Sequence, residues 1–165
     1  MTTTSFQREP LTDALWDEIM PLLVAHWREI AHYQDIMLDP DLEVYRSAAE
    51  RDMLRIYTVR VNDAPDEIHQ DACTGCRLAG YAIFFVKANA HYRGSLQAHQ
   101  DIMFVDPACR GMTGSRLVTW CEEQLRVEGV QAVYHHVKVA HNFGTMLERK
   151  GYELVDHIYA KRLDV

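Results

Sequence analysis

The stretch Gln100–Gly129, QDIMFVDPACRGMTGSRLVTWCEEQLRVEG, decides the fold of this chain. Its apolar run Asp101–Val105 is too short for a helix and is closed by an Asp-Pro pair, which predicts a β-strand. Gly111 and Gly114 predict a tight turn, because glycine tolerates left-handed backbone and the close approach of another group. From Ser115 onward apolar residues recur at helical spacing up to the final glycine, which predicts an amphipathic helix and its end.

A strand, a glycine turn and a helix in this order predict an anion site. The first turn of a helix has backbone N–H groups without intrahelical partners, and the helix dipole adds positive charge at the same end. Phosphate is the usual occupant of such a position. The pattern by itself also fits a simple tight connection, so the neighbouring residues have to decide.

The residues Ile102–Leu117 resemble motif A of the GCN5-related N-acetyltransferases (GNAT). In that family an apolar strand leads into a loop, Gln/Arg-x-x-Gly-x-Gly/Ala, that holds the pyrophosphate of acetyl-CoA. Aligned on its last glycine, Cys109–Gly114 puts Cys109 and Met112 where the family has Arg or Gln and the first Gly. Alternatively the loop is one residue shorter, and Arg110-Gly111 keeps the family roles.

Two further segments resemble the same family. Gly80–Phe85 is similar to its central strand, and Asn142–Tyr152 is similar to its closing Asn-x-x-Ala…Tyr-x-Lys-x-Gly-Phe segment. The segments HYRGSLQAHQD and VYHHVK resemble acetyltransferases encoded by bacteriophages. Together the similarities extend from roughly residue 10 to residue 163, which covers nearly the whole chain.

The order of predicted elements indicates an α/β fold. The resemblance implies one GNAT domain over residues 1–165, with a mixed, mainly antiparallel central sheet flanked by about four helices. Thr12 predicts the start of a first helix, which Pro21 should kink or divide. The predicted remainder is a second helix that begins with Asp39-Pro40-Asp41 and runs to about Met53, a short helix over 142–150, and strands at 54–61, 78–86, up to 105, 131–139 and 152–162.

Composition narrows the function classes. The chain has 165 residues, 48% hydrophobic and 25% charged, with a net charge of −7 and no basic stripe. This balance argues against a nucleic-acid binder and suits a cationic amine as a partner. No apolar run approaches the roughly 20 residues of a membrane helix, and no signal-peptide pattern opens the chain. We therefore expect a cytoplasmic protein without membrane contact, and a homodimer is left open.

The resemblance implies an acyltransferase that moves the acetyl group of acetyl-CoA to an amine by direct attack, without an acyl-enzyme. It places the pantetheine arm along one strand, where a backbone N–H polarises the acetyl carbonyl, and the pyrophosphate on the glycine turn. The closing segment contributes an asparagine. The residues that the resemblance assigns to acetyl-CoA are Met103, Phe104, Val105, Arg110, Gly111, Met112, Thr113, Gly114, Ser115 and Asn142.

Asp101 is the first candidate for the general base that deprotonates the amine. A carboxylate within an apolar strand needs a partner or a wet cleft, and the alternative role for Asp101 is a structural hydrogen bond. Period-two alternation puts His99 and Asp101 on one face with Met103 and Val105 unless a bulge intervenes. The adjacent His135-His136 is a second source of a base, although only one of the pair can face the cleft.

The usual general acid for the departing thiolate is missing from this sequence. Much of the family has a tyrosine four residues before the glycine that ends its last helix, and this position is Leu147 here. Leucine cannot donate a proton. Tyr134 or His136 would have to substitute, or water supplies the proton, and the alternative for Tyr134 is a core aromatic.

A last group of residues, His69-x3-Cys73-x2-Cys76, offers only three candidate metal ligands close together. A structural zinc site needs four, so we expect no metal and a loop insertion instead. We also expect the four cysteines to be reduced thiols. The irregular loop and Leu147 leave open a second function: a catalytically weak or inactive GNAT-fold protein that binds CoA or a host protein.

Overall fold

The computed structural model describes residues 3–62 and 76–164, which form five strands and four helices. The sheet has the order β1-β2-β3-β4-β5, antiparallel throughout except for the parallel pair β4 and β5. The predicted mixed, mainly antiparallel sheet is confirmed. The elements are β1 (Thr3–Glu9), α1 (Asp13–Ile30), α2 (Leu42–Glu50), β2 (Leu54–Asn62), β3 (Arg77–Ala88), β4 (Leu96–Val105), α3 (Met112–Val127), β5 (Ala132–Tyr134) and α4 (Gly144–Glu148).

Local sequence signals set the helix starts. The Thr12 hydroxyl accepts the N–H of Leu15 at 3.1 Å and caps α1, and the Asp41 carboxylate accepts the N–H of Glu43 at 3.0 Å and caps α2. Both are the residue types that satisfy the free N–H groups of a first turn. Helix α1 continues through Pro21, so the predicted division of this helix does not occur.

The sheet carries a hydrophobic core on each face. On one face, α3 buries Leu117, Cys121 and Leu125 against strand residues such as Phe84. On the other face, α1 and α2 cover Tyr81, Ile83 and Phe104. A Cβ at Gly80 of β3 would stand 2.7 Å from the Phe104 carbonyl oxygen of β4, so the two strands approach closely here because residue 80 has no side chain.

Two strand predictions are wrong. The predicted strand at 131–139 is only Ala132–Tyr134, and the segment 152–162 has no regular secondary structure. Val, Ile and Tyr favour strands only where a neighbouring strand and a packed face receive them. Here the side chains of Leu154, Ile158 and Tyr159 are exposed, and the segment is anchored by Arg162, which pairs with Asp35 and stacks on Tyr33.

A buried histidine links α1 to the sheet, and its burial predicts that the folded protein loses stability in acid. The Nδ1 atom of His26 lies 3.2 Å from the Tyr81 hydroxyl, and its ring stacks on Phe104. Burial lowers the pKa of His26 from 6.5 to about 4. The unfolded chain therefore binds the proton more tightly than the folded chain between these pH values, and the stability due to neutral His26 is lost as the pH falls from 6.5 towards 4.

We expect His26→Asn to remove this pH dependence while it keeps a polar partner for Tyr81. Urea unfolding at pH 7.5 and at pH 5 would measure the difference in unfolding free energy between wild type and variant. That difference should shrink by about 2 kcal/mol at the lower pH. A difference that stays constant with pH would contradict a neutral buried His26.

Candidate active site

Strand β4 contains a bulge at Asp101. Ile83 pairs with Ile102 and Phe84 pairs with Gln100, so Asp101 has no partner on β3. The extra residue reverses the alternation beyond it: Met103 and Val105 pack on the α3 side, whereas the Asp101 carboxylate contacts Tyr45 of α2. The expectation that His99, Asp101, Met103 and Val105 share one face is corrected by this bulge.

Strands β4 and β5 separate immediately before the bulge. Their last pair is His99 with Tyr134, and β4 then continues to Val105 without a neighbour on that side among the described residues. The N–H of Asp106 points to β3, where it donates to the Ala79 carbonyl. By alternation, the N–H and C=O groups of Met103 and Val105 point into the opening between the strands. We call this opening, bordered by 100–105 of β4 and by 134–136, the β4–β5 gap.

Asp101 presents a carboxylate at the edge of the gap. Its Oδ2 accepts the Tyr45 hydroxyl at 2.8 Å, and its Oδ1 has no hydrogen-bond partner among the described residues. Burial, and then the charge of Asp101, raise the pKa of Tyr45, so this phenol stays protonated and donates. Asp101 is exposed to solvent. One carboxylate oxygen is therefore anchored and the other is open to a ligand.

Tyr134 forms an aromatic stack beside this carboxylate. Its ring lies 4.7 Å from that of His99, nearly parallel at 6°. His99 pairs with Phe85, which packs against Tyr45, so His99 and Tyr134 lie on the sheet face that carries Asp101. Burial, followed by Lys87 and His136, lowers the pKa of His99. The Tyr134 hydroxyl has no hydrogen-bond partner among the described residues, and whether it donates a proton stays a prediction.

The two adjacent histidines take opposite environments. His136 is exposed, whereas His135 is turned inward. The Nδ1 of His135 lies 2.5 Å from Gln100 Oε1, and its Nε2 lies 3.2 Å from the Tyr152 hydroxyl. Burial, with a smaller effect of His136, lowers the pKa of His135 to about 4. Sequence reasoning left the pair undecided, although the alternation from apolar Val133 to His135 could have indicated the inward residue.

The glycine turn leads directly into α3. Gly111 has φ +80° and precedes the helix without a side-chain cap, and the helix begins at Met112 rather than at Ser115. Gly114 therefore lies in the first helical turn, where a Cβ would meet no atom within 4 Å. The N–H groups of this turn have no intrahelical partner. The arrangement provides the open helix start that the sequence predicted.

Arg110, just before this turn, is held by three contacts. Its Nε donates to the Val105 carbonyl at 3.0 Å, its NH2 group lies 2.5 Å from Glu29 of α1, and its guanidinium lies over the Phe104 ring. Glu29 also pairs with His141 at 2.7 Å. The hydrogen bond from Arg110 lowers the pKa of Glu29. The arginine therefore donates a hydrogen bond to one of the backbone carbonyls of β4 that face the gap.

The remaining predicted positions lie around α4. Asn142 accepts the Gly144 N–H at 2.8 Å through its side-chain oxygen, and its part in cofactor binding stays a prediction. Leu147 is buried in α4 and offers no proton. The nearest phenol in sequence is Tyr152, whose backbone N–H donates to Leu147 and whose hydroxyl meets His135.

The expectation that all four cysteines are reduced thiols is only partly right. Cys109 and Cys121 are free, and burial raises the pKa of Cys121, but Cys76 is disulfide-bonded. Counting cysteines did not decide their pairing. Within 3–62 and 76–164, no group of three His, Cys, Asp or Glu side chains could hold a metal ion, and His69 and Cys73 lie outside these ranges. In the same ranges, no helix has the length and apolarity to cross a membrane.

Comparison with models of protein families shows the family of this chain. A model described as the acetyltransferase (GNAT) family matches residues 16–147, which include the gap, the bulge and the glycine turn. The chain belongs to the GNAT family. Membership supports an N-acetyltransferase activity in general terms, with acetyl-CoA as the donor that the family uses.

Solved structures of GNAT-type enzymes share this fold. A ribosomal-protein-alanine N-acetyltransferase from Brucella melitensis biovar Abortus 2308 has a TM-score of 0.66 at 16% identity, covering 98% of this chain and 99% of that one. An aminoglycoside acetyltransferase from an uncultured soil metagenomic sample, in complex with sisomicin, gives 0.65 at 14%, covering 96% of each chain. A predicted acetyltransferase with acetyl-CoA from Clostridium acetobutylicum gives 0.62 at 8%, covering 98% and 97%.

The TM-scores show the fold of the GNAT chain, and identities of 8–16% say nothing of its acceptor. No curated protein matches the sequence. The resemblance to bacteriophage-encoded members is not addressed by these comparisons and stays a prediction.

Proposed function

We propose that the chain is an acetyl-CoA-dependent N-acetyltransferase that moves the acetyl group to a primary amine by direct attack. The observation that carries the proposal is the edge of β4 beyond His99, which is unpaired among the described residues and leads through the 106–111 turn to the start of α3, with the Asp101 carboxylate near its beginning. This path offers hydrogen bonds along the strand and N–H groups at the turn. A thioester arm with a pyrophosphate at its far end has matching chemistry.

The cofactor would lie along this path. Its pantetheine amides would pair with the backbone of Met103–Val105, and its pyrophosphate would accept N–H groups from the turn Arg110–Ser115. Arg110 now donates to Val105. The carbonyl has a second lone pair for a cofactor amide, and the charge of the neighbouring arginine can serve the phosphates.

The amine would be activated by Asp101. The open Oδ1 can accept a proton as the amine nitrogen bonds to the acetyl carbon, while Tyr45 keeps hold of Oδ2. A backbone N–H of β4 would stabilise the negative oxygen of the tetrahedral intermediate. Collapse of that intermediate breaks the C–S bond and leaves a thiolate that needs a proton. The net charge of −7 favours the approach of a cationic amine, which loses its proton before it attacks.

Tyr134 is the candidate that would give the thiolate its proton. Tyr134→Phe removes only the hydroxyl and keeps the stack on His99. We expect kcat to fall by about tenfold with little change in acetyl-CoA affinity, less than a full general-acid effect because Tyr134 is only half-buried and water can substitute. Steady-state kinetics and calorimetry would measure the two quantities.

His136→Ala tests the other candidate acid with the same assay. If Tyr134→Phe and His136→Ala each turn over normally, the thiolate takes its proton from solvent and neither side chain is the acid.

The function is tested by release of CoA thiol from acetyl-CoA in the presence of a panel of amines, with the acetylated product identified by mass spectrometry. The panel should contain polyamines, amino acids, aminoglycosides and peptides with free amino termini or lysines. Acetylation of at least one class is expected. Tight binding of acetyl-CoA without acetylation of any class would favour the alternative, a GNAT-fold binding module.

A further inference from the structure

A side-chain hydrogen bond closes the inner end of the β4–β5 gap. His99 and Tyr134 form the last backbone pair of β4 and β5. The residues that follow this pair, Gln100 of β4 and His135 just after β5, meet through their side chains at 2.5 Å. This side-chain hydrogen bond extends the pairing of the two segments by one residue beyond the last backbone pair. It therefore defines the point from which the gap opens.

The ring of His135 is fixed by its surroundings. It meets Phe84 edge-on at 5.7 Å and Tyr152 at 5.0 Å between ring centroids. An amide oxygen can only accept, so the proton of the neutral imidazole resides on Nδ1 and is donated to Gln100 Oε1. Nε2 then faces the Tyr152 hydroxyl. Burial, and then the Glu122 carboxylate, which also hydrogen-bonds this hydroxyl, raise the pKa of Tyr152.

The bulge is consequently held from both faces of the sheet. Gln100 and Asp101 are consecutive, and their side chains point to opposite sides. On one side His135 holds Gln100, and on the other side Tyr45 holds Asp101. A bulge with two such side-chain anchors has a defined position along the strand.

We infer that His135 is a positioning residue: through Gln100 it fixes the β4 bulge, and with it the backbone N–H groups that face the thioester carbonyl. The inference rests on the proposed function and goes beyond it, because it assigns a role to a residue that is neither acid nor base. Both ring nitrogens are engaged by Gln100 and Tyr152 and neither faces a reacting atom. The neutral state at pH 7 agrees with this role.

Two amide substitutions separate the two hydrogen bonds of His135. In His135→Asn the side-chain N–H takes the place of Nδ1 and keeps the bond to Gln100. In His135→Gln the amide reaches the place of Nε2, keeps Tyr152 and loses Gln100. We expect His135→Asn to stay within threefold of the wild-type kcat, and His135→Gln to lose about tenfold or more, because sub-ångström misplacement of reacting groups is costly.

Three controls complete the kinetic test, which uses the best amine of the panel. Gln100→Leu should lower kcat by the same factor as His135→Gln. The double variant that combines Gln100→Leu with His135→Gln should have a kcat no lower than that of either single variant. Tyr152→Phe should keep kcat, and acetyl-CoA affinity should change less than threefold throughout. Loss of kcat by 10² or more in both His135→Asn and His135→Gln would instead identify an acid or base. Normal kcat in His135→Gln would overturn the inference.

A second readout does not need an acceptor. In acetyl-CoA labelled with ¹³C at the thioester carbonyl, infrared difference spectra report how strongly the bound carbonyl is polarised. We expect a shift to lower frequency on binding in wild type and His135→Asn, and a smaller shift in His135→Gln and Gln100→Leu. Equal shifts in all four proteins would overturn the positioning role. Absence of acetyl-CoA binding by wild type would instead overturn the proposed function, and the inference with it.

Discussion

Asp101→Asn should lower kcat by roughly 10²–10⁴, the usual contribution of a positioned general base, while the protein remains folded. The amide keeps the shape of the carboxylate and can still accept the Tyr45 hydroxyl, which now lies 2.8 Å from Oδ2. It cannot accept a proton from an ammonium group. The loss should shrink as pH rises, because more of the amine is then already unprotonated. Steady-state kinetics with the accepted amine from pH 6 to pH 9 would measure both effects.

Tyr45→Phe is the matched control for this variant. It removes the hydrogen bond to Asp101, which Asp101→Asn can keep, and it retains the carboxylate. If Asp101 serves only to anchor α2, Tyr45→Phe should lose stability in urea unfolding, and both variants should keep the wild-type kcat. If Asp101 is the base, only Asp101→Asn loses the larger factor in rate.

Gly114→Val should weaken acetyl-CoA binding by about 10- to 10²-fold, the effect of losing one or two charge-assisted hydrogen bonds. Gly114 lies in the first turn of α3, and a Cβ there meets no protein atom within 4 Å. The fold therefore tolerates a side chain that would occupy the space beside the open N–H groups. Calorimetric titration of acetyl-CoA into wild type and variant would measure the change.

Gly94→Val supplies the comparison. Gly94 lies in the connection between β3 and β4, where a Cβ is equally unobstructed. This substitution should leave the affinity unchanged. Equal affinities of wild type and Gly114→Val would show that the pyrophosphate does not bind at this turn.

The parts of the fold that sequence predicted well are those fixed by local signals. Thr12 and Asp41 lie at helix starts because their side chains satisfy free N–H groups, and the glycine turn before α3 depends on neighbouring residues only. The family resemblance added the sheet architecture. The corresponding elements are close to their predicted bounds.

The parts that failed depend on contacts far apart in the chain. The bulge at Asp101 arises from the pairing of β4 with β3, which no property of Asp101 itself encodes. The segment 152–162 has strand-forming residues, but no strand pairs with it in the described part of the chain. The burial of His135 follows from Gln100, Phe84 and Tyr152, which lie 17 to 51 residues away in sequence. The candidate site is therefore predictable in its turn and strand, and not in the geometry of its inner end.

Amide hydrogen exchange with and without acetyl-CoA tests most directly whether the donor binds in the β4–β5 gap. The amides of Met103 and Val105 and those of the first turn of α3 face the proposed ligand. We predict slowed exchange in peptides that cover 101–106 and 110–116, and unchanged exchange in α2. Protection confined to other elements, or no protection at saturating acetyl-CoA, would contradict the account.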